Sequence, residues 1–171
     1  VNSLLERHDL VVNDLHLISE NGEVIRPEVV SSRLGNQRAF EFEDLVEKNF
    51  CGMTNMSFCA PISGEIRVPR HAVAVDWLIA SQLLLNGRQG LFTSSTTTGY
   101  RQHSGNVAGI GASHNLVKID KVRKAHFEFL RARYPRDERV QIASARERQR
   151  ASDLVGATVC LEDKNKLWWE R

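Results

Sequence analysis

The chain has 171 residues and a mass of 19.4 kDa, one domain's worth by the usual prior of roughly 100–200 residues per domain. Apolar residues make up 42% and charged residues 26%, with a mean hydropathy of −0.33, which excludes wholesale disorder and a membrane bundle. Net charge is +2, but residues 1–60 hold 5 basic and 10 acidic side chains while residues 118–150 hold 11 basic and 5 acidic, so the two thirds attract each other or an oppositely charged partner.

The most apolar stretch, Ala72 to Leu85, contains Asp76, Ser81 and Gln82 and is too short to cross about 30 Å of hydrocarbon. Val1 to His8 lack the basic-then-apolar order of a secretory signal. Cys51, Cys59 and Cys160 are an odd, sparse set, unlike a secreted disulfide framework, and point to a reducing compartment. No internal repeat is visible.

In chain order, Asn21-Gly22 predicts a two-residue hairpin turn joining Leu15–Ile18 to Glu23–Ile25. Pro27 removes a ladder donor and makes this hairpin an edge or protruding element. Phe40, Phe42, Leu45, Val46 and Phe50, interleaved with Glu41, Glu43, Asp44 and Glu47, predict a short helix stopped near Cys51-Gly52. Ile66-Arg67-Val68 reads as a brief strand. From Ala72 about four helical turns follow, with Val73, Val75, Trp77, Leu78, Leu84 and Leu85 as apolar face and Asn86-Gly87 as stop, the candidate buried spine.

Residues 93–114 hold 4 of the 11 glycines and a Ser/Thr run, and predict a long polar loop. Asp120 is placed to N-cap a helix with Val122, Ala125, Phe129 and Leu130 inward, ended by Pro135. Residues 139–143 read as a strand with Val140 and Ile142 facing one way. Ser144 and Glu147 stand at capping-box spacing, opening a helix that runs to about Leu154 and stops before Gly156. The organisation is α+β: residues 1–60 as an N-terminal arm with an extended hairpin, residues 61–171 as a core with a spine-type helix and a helix-strand-helix C-terminal layer.

Catalytic and cofactor patterns are weak. The glycines Gly105, Gly109 and Gly111 lack the Gly-Lys-Ser/Thr end of a Walker loop and do not join a strand to a helix. Cys51, Cys59 and His71 lack the paired spacing of structural zinc ligands, and buried small hydrophobes are the simpler role for the cysteines. Glu41, Glu43, Asp44 and Glu47 read as the wet face of a helix. His103 and His114, in the polar loop, would serve a hydrolase or nuclease, with solvated loop histidines as the plainer alternative. The sequence therefore predicts no enzyme, no cofactor and no metal. The basic segment carries more: Arg131, Arg133, Arg136, Arg146, Arg148 and Arg150 are candidate contacts to phosphates or to another subunit.

From about His71 to Lys166 the chain presents, in order, Val75-Asp-Trp-Leu-Ile-Ala, Leu85-Asn-Gly with the Gly-Thr-rich tract through Gly99, and Leu116-Val-Lys-Ile-Asp-Lys-Val-Arg-Lys-Ala. Pro135-Arg-Asp-Glu-Arg-Val-Gln-Ile-Ala-Ser and Ser152-Asp-Leu-Val-Gly-Ala-Thr-Val follow. This order of features resembles part of the major coat proteins of tailed bacteriophages. The resemblance implies a structural virion protein: a capsid-shell subunit assembled in the host cytoplasm from identical copies, alongside other virion proteins and packaged nucleic acid. Its acidic and basic thirds would meet between adjacent copies. The alternative is a small nucleic-acid-binding protein using residues 118–150.

Overall fold

A computed structural model describes residues 2–59, 66–103 and 116–156. Among these the chain is mixed α+β. After a single turn, α1 (Asn2–Leu5), come β1 (Leu10–Ile18), β2 (Val24–Arg26), α2 (Ser31–Leu34), β3 (Gln37–Phe40), α3 (Phe42–Glu47) and β4 (Met56–Phe58). They are followed by α4 (Val75–Leu85), β5 (Gly90–Arg101), α5 (Leu116–Arg133) and α6 (Glu138–Gly156).

Leu10 to Leu15 are buried without alternation, as expected of a strand covered on both faces. β1 accordingly sits inside the sheet, in the order β2-β1-β5-β3, parallel to β5 from Leu10↔Gly90 to Ile18↔Arg101. Its other edge is shared by β2 near Ile18 and by β4 near Leu10, both antiparallel. The ladder between β1 and β5 jumps from Asn13↔Thr93 to Asp14↔Thr97, a bulge in β5. Asn13 Nδ2 spans it to Thr98 Oγ1 at 2.9 Å, and Asn55 Nδ2 donates to the Asn13 carbonyl at 2.9 Å.

The Asp14 carboxylate, with no exposed surface, accepts the backbone N–H groups of Leu15 at 2.8 Å, Val30 at 2.9 Å and Ser31 at 3.2 Å, and the Ser31 hydroxyl. It thereby ties the start of α2 to the central strand. β5 meets β3 through Gly90, where a Cβ would stand 2.7–2.9 Å from the Phe40 ring.

The principal core joins Leu10, Val12, Phe40 and Phe92 of the sheet to α3, α4, α5 and α6. α4 is its spine: every residue from Trp77 to Leu85 is buried, and Trp77 Nε1 donates to the Leu45 carbonyl at 3.0 Å. A smaller cluster of Leu15, Leu17 and Val29 with Tyr100 lies apart. α3 opens with a capping box between Glu41 and Asp44.

A hairpin forms around Asn21-Gly22, but its turn is not the expected two-residue one: the Ser19 N–H donates to the Glu23 carbonyl at 2.8 Å and the Gly22 N–H to the Ser19 carbonyl at 3.0 Å, with Gly22 but not Asn21 at positive φ, and β2 is a short edge strand before Pro27. α3 forms but ends at Glu47, short of the expected stop near Cys51-Gly52, with Phe40 in β3 and Phe50 beyond the helix; α4 forms too, and Gly87 at φ +82° follows its end. Several expectations need correction. α4 begins at Val75, leaving Val73 outside it and 62% exposed. Residues 66–68 are not a strand. Residues 93–101 of the expected polar loop are the larger part of β5, and 104–114 lie outside the described residues. Asp120 is inside α5, not its cap. Residues 139–143 are helical, and Ser144 and Glu147 are interior positions of α6. The C-terminal layer is thus helix-helix, because Val140, Ala143, Ser144 and Glu147 share one buried helical face while Ile142 is 47% exposed.

Candidate functional site

α5 and α6 form an antiparallel-type hairpin around Tyr134-Pro-Arg-Asp, where Pro135 cannot continue α5 and Asp137 holds Arg139 by a two-pronged contact. The buried stripe of α5 is Ile119, Arg123, His126, Phe127 and Leu130, one position out of phase with the expected Val122, Ala125 and Phe129. Two polar side chains therefore point inward. Arg123, 8% exposed, donates through Nε to Glu147 Oε1 at 3.1 Å and Oε2 at 3.0 Å, and through Nη2 to Oε2 at 2.8 Å. Its remaining donors reach the Val46 carbonyl at 2.9 Å and the Glu47 carbonyl at 3.1 Å, the last carbonyls of α3. The guanidinium lies 5.4 Å from the Trp77 ring centroid. Burial raises the Glu147 carboxyl, but the hydrogen bonds from Arg150 and Arg123 outweigh it and hold the group below the ordinary glutamate value.

His126, 3% exposed, stacks on Trp77 at 3.8 Å between ring centroids, with Nε2 3.3 Å from Ser81 Oγ. Burial pushes its pKa well below the ordinary histidine value, and the Arg123 charge adds to the effect. A serine beside an imidazole invites a nucleophile-base reading. Here Ser81 has no exposed surface, and His126 Nδ1 has no partner among the described residues to orient it, so the pair serves packing of α4 on α5.

Of the six expected contact residues, Arg131, Arg136, Arg146 and Arg148 are exposed and make no ion pair or hydrogen bond among the described residues. Arg133 is half-buried, its guanidinium 5.6 Å from the Tyr134 ring centroid. Arg150 is also half-buried; its Nε donates to Glu147 Oε1 at 3.0 Å and its Nη2 to Asp120 Oδ1 at 3.0 Å. It is a structural side chain. Between the helices runs a cleft of about 460 Å³ whose lining includes Lys124, Arg131, Arg148, Phe127 and Ser144. Cations from both helices thus converge on one recess.

The acidic α3 packs against α4 and α6 of the same chain, and Glu43 and Glu41 add to the field at Arg139 after its closer partner Asp137. Part of the charge complementarity between the two thirds is spent within the molecule. Glu41, Glu43 and Glu47 are exposed, while Asp44 pairs with Arg38 at 2.6 Å. Cys51 is buried, its thiol pushed up by burial and by nearby Asp76; Cys59 is half-buried and His71 exposed. Among the described residues no three His, Cys, Asp or Glu side chains come together as metal ligands. His103 is exposed just past β5, and His114, Gly105, Gly109, Gly111 and Cys160 lie outside the described residues. No described helix is long and apolar enough to cross a membrane.

Sequence pattern does not single out Arg123, His126 and Glu147 as a buried set. A charged residue at an inward helical position carries no local mark, although Arg123 and Phe127, with Ile119 and Leu130, do fit the i, i+4 spacing of one face. The chain matches no family model, no curated protein and no solved structure.

Proposed function

We propose that this chain is a non-enzymatic binding protein that contacts nucleic acid through the α5–α6 hairpin. The observation that carries this reading is the convergence of Lys124, Arg131 and Arg148, unpaired among the described residues, on the cleft between the two helices. Unpaired exposed cations release counterions when they meet phosphates, which makes affinity steeply salt-dependent. With Lys121, Arg136 and Arg146 the exposed set reaches six, and engagement of all six on a single strand gives a slope of log K against log salt near −4. Fluorescence anisotropy with a labelled oligonucleotide over a salt series tests it. Changing Arg131, Arg136 and Arg148 to glutamate should abolish binding with folding retained; salt-independent binding, or none by the unaltered chain, would overturn it.

A second reading, the capsid-shell subunit, is supported by a different feature. The β1–β2 hairpin ends in an edge strand exposing Val24 (56%) and Ile25 (53%), an apolar pair suited to a neighbouring copy. Large assemblies in light scattering, dispersed by Val24→Asp with Ile25→Asp, support it; a lone 19.4 kDa species at high concentration excludes it. In that reading the partners are identical subunits, other virion proteins and packaged nucleic acid, and the place of action is the virion. The nucleic-acid reading ranks first because four of six expected arginines are unpaired among the described residues, whereas part of the acid-base complementarity needed between copies is satisfied inside one chain.

A further inference from the structure

The α5–α6 cleft is more than a rim of charge. Its volume of about 460 Å³ falls within the roughly 300–1,000 Å³ of small-molecule sites. Phe127 and Ala151 give it an apolar lining, from α5 and α6 respectively. Ser144 also lines it, only 4% exposed, and its hydroxyl has no hydrogen-bond partner among the described residues. A buried hydroxyl without a partner is costly, and it can both donate and accept. Two of the carboxylates on the lining are already engaged: Glu147 by Arg123 and Arg150, and Asp120 by Arg150. Glu128 is the remaining acid, four residues from Lys124 and three from Arg131 on the same helix face, so the unpaired balance stays positive.

We propose that this cleft accepts one unstacked base of a single-stranded nucleic acid, with Lys124, Arg131 and Arg148 on the flanking phosphates and the Ser144 hydroxyl on an edge of the base. The proposal rests on the nucleic-acid reading above and deepens it. A recess between two helices admits a base splayed out of its stack, whereas a base held in a duplex stays paired and presents only backbone to the rim. Apolar contact favours any base, so selectivity is for strandedness before sequence.

The test compares three labelled probes by anisotropy at one salt concentration: an oligothymidylate, the same backbone with abasic sites, and a duplex of equal length. The oligothymidylate should bind about tenfold more tightly than the abasic strand. Ala151→Leu, which fills the cleft, should erase that difference and leave abasic binding unchanged. Ser144→Ala should reduce it severalfold, and is the deciding substitution if circular dichroism shows the Ala151→Leu chain unfolded. Equal affinity for oligothymidylate and abasic strand overturns this inference while the backbone-contact reading stands. Failure of all three probes to bind overturns both.

Discussion

Replacing Arg123 by methionine keeps an unbranched apolar stem and removes the guanidinium with every donor it places in the core. The Glu147 carboxylate loses three contacts of 2.8–3.1 Å, and the carbonyls of Val46 and Glu47 lose the group that closes the end of α3. Breaking one side of a buried ion pair costs about 3–5 kcal/mol, because the partner stays buried and charged. Glu147 retains Arg150, which puts the expected loss at the lower end, about 3 kcal/mol. Against a typical total of about 5–15 kcal/mol that is a severe change. Urea unfolding followed by far-UV circular dichroism should show the midpoint falling by about 1–3 M with an unchanged slope. Glu147→Met alone strands the guanidinium, so the double variant should be more stable than the sum of the single losses by about 2 kcal/mol. A loss under about 1 kcal/mol for Arg123→Met, or single losses that add within about 0.5 kcal/mol, would refute the account of a mutually dependent buried pair.

Other expectations concern the sheet and the pH response. Asp14→Ala leaves the amides of Val30 and Ser31 without their acceptor, so thermal unfolding should show a loss of about 3 kcal/mol, with Asp14→Asn intermediate; an unchanged midpoint would contradict this role. Gly90→Ala forces a methyl to within 2.7–2.9 Å of the Phe40 ring and should cost about 1–3 kcal/mol by urea titration, partly restored by Phe40→Leu. His126 is buried and its pKa is depressed on folding, so the unfolded chain takes up a proton that the folded chain refuses. Stability should be full above about pH 6.5 and fall by about 1.4 kcal/mol per pH unit below it, until the folded group itself titrates. Ser81, Trp77 and Phe127 contact His126, and the nearby Arg123 charge also disfavours its protonation. His126→Gln should flatten the profile between about pH 5 and 6.5; an identical slope would assign the acid loss to other groups.

The elements legible in the sequence are those specified by neighbours in the chain. Gly22 marks the hairpin turn, though not its length, the Phe42, Leu45 and Val46 spacing dictates α3, and Pro135 stops α5. β5 reads as loop because Ser94 to Gly99 lack apolar alternation, although the Thr run has β-branched side chains that suit a strand; its partner, β1, lies far off in sequence. Residues 139–143 mislead because Val140 and Ile142 alternate over too short a window, while the helical set of Val140, Ala143, Ser144 and Glu147 includes two polar members. For the site, the four exposed arginines can be anticipated from charge alone. Which two of the six are drawn into contacts with Tyr134, Glu147 and Asp120 depends on how α5 and α6 face each other.

The long parallel ladder between β1 and β5 also governs how the molecule comes into being. Leu10 waits for Gly90, so β1 has no permanent neighbour on that side until synthesis has passed Arg101. Such distant pairings raise contact order and place folding toward the slower, millisecond-to-second range. During that interval Leu10, Val11 and Val12 form a sticky segment, and expression at low temperature or with a holdase chaperone should raise the yield of native material.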